Sequence, residues 1–237
     1  MEIKTEVRKQ KIENRRPDVR YLNDMKKVLY DQKWLRKAPN FELYYMYRAV
    51  RRKKGLRYDI TVIPPRMLGK EFVKTKGHEH LGNFGELYIV LKGKAIYLLQ
   101  KYEKQKNKIN DVYAVKAGKG DSVIIPAGYG HITINPASQE LKEANWCSQK
   151  CKNIYDLYEK KHGACYYYAK SGSRARAKSK SASRSFPPSS RKRDSVGGEE
   201  DLSSLTWIKN KNYKKIPKLR FEKPLKKMPK NLDFLNG

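Results

Sequence analysis

Three of the four histidines in the chain lie in two short segments far apart in sequence, Gly77-His78-Glu79-His80 and Tyr129-Gly130-His131, with Glu86 between them. In an extended strand successive side chains alternate, so His78 and His80 project to one side and Glu79 to the other. Room for a turn separates His80 from Glu86, and Glu86-Leu87-Tyr88-Ile89-Val90-Leu91 reads as the next strand. The Glu86 carboxylate and the Tyr88 phenol then share one face. Between Ser122 and Asn135, Ile132 and Ile134 alternate with His131, Thr133 and Asn135, so His131 shares a face with polar groups. Isolated histidines are usually surface or core residues, but His-x-His with a downstream Glu and a distant third His is not a pattern that chance supplies often. His78, His80, Glu86 and His131 would hold one divalent metal ion per subunit and leave coordination positions open, which suits iron first, with nickel, manganese, cobalt or zinc as alternatives. An open position implies substrate chemistry, with Glu86 and Tyr88 as candidate catalytic groups.

A chain of 237 residues can bury one ordinary core and still carry tails. Short strands with turn chemistry, such as Leu91-Lys92-Gly93-Lys94 and Ala117-Gly118-Lys119-Gly120-Asp121, fit a closed or sandwiched all-β unit. Leu22, Met25, Val28, Leu29 and Trp34 predict a short helix after Asn23 or Asp24, and a second helix is expected over Asn153 to Lys161, ended by Gly163. Phe41 to Val50, Tyr58 to Ile63 and Ala164 to Tyr168 read as strands, and Lys101 to Asp111 as a polar hairpin loop.

No apolar run approaches the roughly 20 residues of a membrane span, and Met1 to Glu6 lacks a secretory apolar segment, so a soluble, cytoplasmic protein is expected. Three cysteines, Cys147, Cys151 and Cys165, are an odd number and argue for reduced thiols; a zinc site with His162 matches no known spacing. The formal charge of +30 attracts phosphate in any form. The basic residues are spread along the whole chain, which leaves two readings open, solvated lysines on every face or non-specific nucleic-acid binding.

Residues 1–19 read as a basic arm, 20–168 as the metal-binding catalytic domain, 169–205 as a Ser- and Arg-rich insertion that cannot bury a core, and 206–237 as a segment with a basic tail that packs on the domain. Trp207-Ile208, Tyr213 and Ile216-Pro217 mark where order is expected to resume.

Gly69, His78, His80, Glu86 and Gly93 match the first motif of the cupin superfamily, with a longer gap after Gly69 than the general form, and Gly120, Asp121, Pro126 and His131 match the second. The words Lys74-Thr75-Lys76-Gly77-His78, Leu91-Lys92-Gly93-Lys94-Ala95, Leu98-Leu99-Gln100 and Thr133-Ile134-Asn135 resemble the cupin-type glucose-6-phosphate isomerases of archaea and some bacteria. The resemblance covers about 20–168 and 206–222; the insertion has no counterpart in that family. It implies a jelly-roll barrel with short peripheral helices, a homodimer, and a sugar-phosphate substrate.

Aldose–ketose interconversion moves one hydrogen between C1 and C2, either as a proton through an enediol or as a hydride. A ligating Glu86 could leave the metal to act as base, and Tyr88 could relay a proton. Thr75 and Gly77, in the family's Thr-x-Gly-His word, would donate to the phosphate, with Lys76 or Lys74 supplying charge. Tyr44 and Tyr47 fall on a Tyr-x-x-Tyr word and are candidate substrate contacts. Another cupin metalloenzyme, such as a dioxygenase, and a scaffold whose basic arm grips RNA stay open as alternatives.

Overall fold

A computed structural model describes residues 15–103, 107–170 and 205–237. The expected residues 1–14 of the arm and 171–204 of the insertion lie outside them. The chain is built almost wholly of strands: β1 (Asp18–Tyr21), β2 (Glu42–Lys53), β3 (Leu56–Ile63), β4 (Met67–Leu68), β5 (Glu71–Phe72), β6 (Glu79–Leu81), β7 (Glu86–Lys92) and β8 (Lys94–Tyr102). After these come β9 (Ile109–Gly118), β10 (Ser122–Ile125), β11 (Gly130–Ile134), β12 (Leu141–Ser148), β13 (Lys152–Ile154), β14 (Tyr166–Lys170), β15 (Leu205–Lys209) and β16 (Arg220–Glu222).

A six-stranded sheet runs β1-β2-β3-β12-β7-β10, and a four-stranded sheet runs β11-β8-β9-β16. Buried apolar side chains from both, among them Ile63, Val90, Leu98, Val112 and Ile132, form one core between the two sheets. Smaller sheets β13-β6 and β15-β14-β5-β4 complete the described residues. The β7–β8 hairpin turns at Gly93, whose φ is +83° and where a Cβ would lie 2.6 Å from the Glu140 carbonyl, so glycine is required there by conformation and by space.

Several boundaries differ from the sequence reading. Asp18 and Val19, assigned to the arm, belong to β1 and pair with Met46 and Tyr45. The first helix is a 3-10 segment over Leu22–Val28 that buries Leu22, Met25 and Val28; Trp34 lies in a separate one-turn helix, α1 (Gln32–Leu35). Asn153 sits in β13 opposite His80, and this cross-strand pairing delays the second helix, α2, to Asp156–Lys160.

After 204 the chain wraps the barrel. β15 pairs with β14, β16 runs parallel to β9, and Leu225 exchanges two backbone hydrogen bonds with Ser122 at 2.8 Å. Gln100 fastens this wrap from inside: its Oε1 accepts from the Cys165 amide at 2.7 Å and its Nε2 donates to the Tyr213 hydroxyl, which in turn donates to the Gly163 carbonyl at 2.9 Å. The Leu-Leu-Gln word is thus a buried junction of three chain segments. Gln100→Leu strands the Cys165 amide and should destabilise the fold by about 2–3 kcal/mol, read from the denaturant midpoint; a loss under ~0.5 kcal/mol would mean that the amide finds another acceptor.

Candidate metal centre and substrate cavity

His78 and His131 meet through the backbone. The His78 amide donates to the His131 carbonyl at 3.2 Å and the His131 amide to the His78 carbonyl at 2.9 Å, an antiparallel pair that sets the two imidazole centroids 4.4 Å apart. His80 follows at the spacing of two in β6, its ring 5.2 Å from that of His78. Gly77 lets the chain enter this pair: its φ is +83°, and a Cβ there would come within 2.5 Å of the Tyr158 ring and 2.6 Å of Ile132. Glu86 opens β7, and its Oε2 lies 3.1 Å from His131 Nε2, 3.4 Å from His80 Nε2 and 3.9 Å from His78 Nε2.

This arrangement has the marks of a cation site. His78, His80 and Glu86 each offer a ligand atom within 4.8 Å of the others, and the His131 nitrogen approaches the same carboxylate oxygen. His78 Nε2 and Glu86 Oε2 are buried without a hydrogen-bond partner of good geometry, a cost that a bound cation would relieve. Supporting contacts aim the ligands. His80 Nδ1 contacts the Phe84 carbonyl at 3.1 Å, which keeps Nε2 toward the centre, and Asn145 Nδ2 donates to Glu86 Oε1 at 2.5 Å. The donor set fits a divalent transition metal.

Charges around the centre are unequal. Burial, reinforced by His131, holds His78 well below the usual imidazole range, and burial likewise lowers His131. For His80, burial is outweighed by hydrogen bonds to Cys151 and Glu86 and by the charge of Glu86, which push it up to about 10. Burial opposes ionisation of Glu86, but the hydrogen bonds and charges of His131 and His80 hold it well below the usual carboxylate range. A metal entering at neutral pH therefore displaces one proton, from His80. Apparent affinity should rise about tenfold per pH unit from 7 to 9, and calorimetry in buffers of different ionisation enthalpy should count close to one proton released; an affinity flat with pH would contradict this.

Tyr88 lies on the same face of β7 as Glu86, and its hydroxyl is 3.1 Å from His131 Nε2. Burial first, then the charges of Glu86 and Glu143, keep the phenol protonated far above neutral pH. The cavity lined by His78, Glu86 and Tyr88 is also lined by Tyr44, Thr75, Lys76 and Gly77. Thr75 Oγ1 accepts the Thr133 amide at 2.9 Å and keeps its own proton free to donate; the Tyr44 hydroxyl accepts the Lys76 amide at 3.1 Å. Lys76 Nζ is held 2.5 Å from Glu159, which reduces its value to an anion.

Two expected contacts are not brought here. Tyr47 is outside the cavity lining because the alternation of β2 puts Tyr44, Met46 and Arg48 inward. Lys74 is buried in an ion pair with Glu71 and lies over the Tyr167 ring.

The sequence reading missed Arg20, Arg48, Arg57, Glu143, Asn145 and Tyr155, all of which line the cavity. Arg20 carries a buried Nε with no hydrogen-bond partner. Asp59, fully buried, receives Arg48 and Arg57 at 3.2 Å each and the Ala49 amide at 2.7 Å. Period-two alternation from Tyr44 to Arg48 and from Glu143 to Asn145 was the available signal.

A family model described as glucose-6-phosphate isomerase matches residues 19–184. A glucose-6-phosphate isomerase of Thermococcus litoralis is 33% identical over 130 residues, 52% of this chain and 65% of its own, and one of Pyrococcus horikoshii is 33% identical over 134 residues, 54% and 68% respectively. The chain thus spans just under two thirds of the Thermococcus litoralis relative's length. Among solved structures, an oxalate oxidase with the substrate analogue glycolate is 15% identical with a TM-score of 0.38, over 47% of this chain and 54% of that one. A Lactobacillus farciminis oxalate decarboxylase formate complex is 17% identical with a TM-score of 0.36, over 45% and 29%. Superpositions of that size carry no weight for fold or chemistry.

Proposed function

The chain belongs to the glucose-6-phosphate isomerase family, and on that premise we propose that it interconverts glucose 6-phosphate and fructose 6-phosphate using a divalent metal held by His78, His80, Glu86 and His131. One observation carries the reading. A single cavity is lined both by His78 and Glu86 of the histidine–carboxylate cluster and by the hydroxyls and cations of Tyr44, Thr75, Lys76 and Arg20, the two kinds of group that a substrate with a reducing sugar end and a phosphate end needs.

Bound among the four side chains, a divalent cation would supply Lewis-acid polarisation of the sugar carbonyl. The chain's own groups do the rest. Thr75 and Tyr44 have hydroxyl protons to donate to phosphate oxygens, and Arg20, with its uncommitted Nε, offers a charged donor that Lys76, paired to Glu159, offers less well. Tyr88, protonated and beside His131, is suited to pass a proton between the two sugar oxygens. Glu86 is suited to ligation rather than to swinging free, because Asn145 grips its other oxygen.

The test is a coupled assay of fructose 6-phosphate conversion on protein stripped with chelator, then supplied in turn with iron, nickel, manganese, cobalt and zinc. Activity should vanish with the chelator and return with one of them, and His80→Ala should lose both metal and turnover. Turnover by a metal-free protein would overturn the metal assignment, and no turnover with any metal would overturn the isomerase reading.

A further inference from the structure

Five residues, Leu81-Gly82-Asn83-Phe84-Gly85, connect the two candidate ligands His80 and Glu86. The connection has little to hold it from within. Residues 82–85 make no backbone–backbone hydrogen bond among the described residues, and Leu81 is 56% exposed. Yet the Phe84 carbonyl, 3.1 Å from His80 Nδ1, is what aims the His80 ring, so the turn must keep its place for the cluster to keep its geometry.

What packs on the turn comes from far along the chain, from residues outside the family match at 19–184. A 3-10 turn over Asp233–Leu235 is braced by the Asn231 side chain, which accepts the Asp233 amide at 2.7 Å. It buries Leu235 fully, in a small apolar cluster with Leu56 on β3 and Leu87 on β7. A Cβ added to Gly85 would lie 3.6 Å from Leu235 Cδ2 and 3.8 Å from the Phe234 carbonyl. One added to Gly237 would lie 3.2 Å from the Asn83 carbonyl and 3.3 Å from the Phe84 ring. Leu87 follows Glu86 and points to the opposite side of β7, so Leu235 sits behind the carboxylate and not in the cavity.

We propose that Leu235 is a positioning residue for the metal centre: seated beside Gly85 and Leu87, it fixes the 81–85 turn, so that the Phe84 carbonyl orients His80 and β7 begins with Glu86 toward the cation; this rests on the metal centre proposed above and not on the substrate. The His80 imidazole can turn about two bonds, and the Phe84 contact removes that freedom before a cation arrives. Truncating Leu235 opens a void beside a glycine that has no side chain to fill it, and a turn without backbone bonds is the part free to collapse into it. His80 and Glu86 stand at the two ends of that turn, whereas His78 and His131 are held by their own backbone pair. Leu225 is tied separately, by its two bonds to Ser122, so loss of the Leu235 side chain loosens the turn without releasing the whole segment.

The experiment uses the full chain, stripped with chelator and titrated with cobalt(II), whose visible absorption reports both affinity and ligand geometry. Leu235→Ala should bind cobalt(II) about 10- to 100-fold more weakly than wild type and with a changed visible spectrum. Leu68→Ala is the control, because Leu68 is equally buried but lies in the β15-β14-β5-β4 sheet, which carries none of the four ligands. It should lower the denaturant midpoint comparably and leave cobalt(II) affinity within about threefold of wild type. A Leu235→Ala protein that binds as tightly as Leu68→Ala, with the wild-type spectrum, overturns the assignment and leaves the metal centre standing. If Leu235→Ala does not fold, Leu235→Val is read in its place: weaker binding with an altered spectrum supports the assignment, and wild-type affinity and spectrum overturn it. Wild type that takes up no cobalt(II) overturns the metal centre and the positioning role together.

Discussion

The antiparallel backbone pair between His78 and His131 is the constraint on which the rest of the site depends. It closes more than fifty residues into a loop and sets two imidazoles 4.4 Å apart before any metal is present. Side-chain forces alone could not hold that geometry, since each ring is free about two bonds, whereas backbone pairs set the direction of Cβ. Gly77 is the local condition for the pair, because Tyr158 and Ile132 fill the space that a side chain would take. Once the pair is made, β6 carries His80 to the same side by simple alternation, and β7 needs only to begin at Glu86 for the carboxylate to meet all three rings.

The cavity is expensive in buried polarity, and its hydrogen bonds show how that cost is met. Asp59, Glu86, Glu143 and Asn145 are all nearly inaccessible to solvent. Asp59 is compensated by Arg48, Arg57 and the Ala49 amide, Glu86 by Asn145 and the histidines, and Glu143 by Tyr97. A group stripped of all its partners here would cost about 1–3 kcal/mol, or more for a charge. Ala49 shows where strain enters: its φ of +49° is unusual for a residue with a side chain, and its amide is held by Asp59 across the β2–β3 pair. That kink lies beside Arg48, one of the cations that line the cavity.

The double-sheet architecture, the strand hosting Glu86 and Tyr88, and the histidine cluster were all legible from alternation, because period-two patterning reports which side chains share a face. The same rule, applied to Tyr44, Met46 and Arg48 or to Glu143 and Asn145, could have found more of the lining; it also excludes Tyr47, which the Tyr-x-x-Tyr word had suggested. Lys74 could not be judged in this way. Its partner Glu71 is three residues away, and tertiary contacts fix that pair: the Tyr30 amide donates to Glu71 and the Lys74 ammonium lies over the Tyr167 ring. Asn153 read as helical by local pattern, but its pairing opposite His80 overrode local preference.

What the sequence by itself determined is the chemistry on offer: the ligand types, the face they share, the turn glycines and the family to which the words belong. Only the tertiary structure decided which groups are committed and which are free. Glu86 is clamped by Asn145, Lys76 is neutralised by Glu159, and Glu143 lines the cavity while it accepts the Tyr97 hydroxyl. These outcomes follow from strand order and register among segments distant in sequence, which alternation within one strand does not specify.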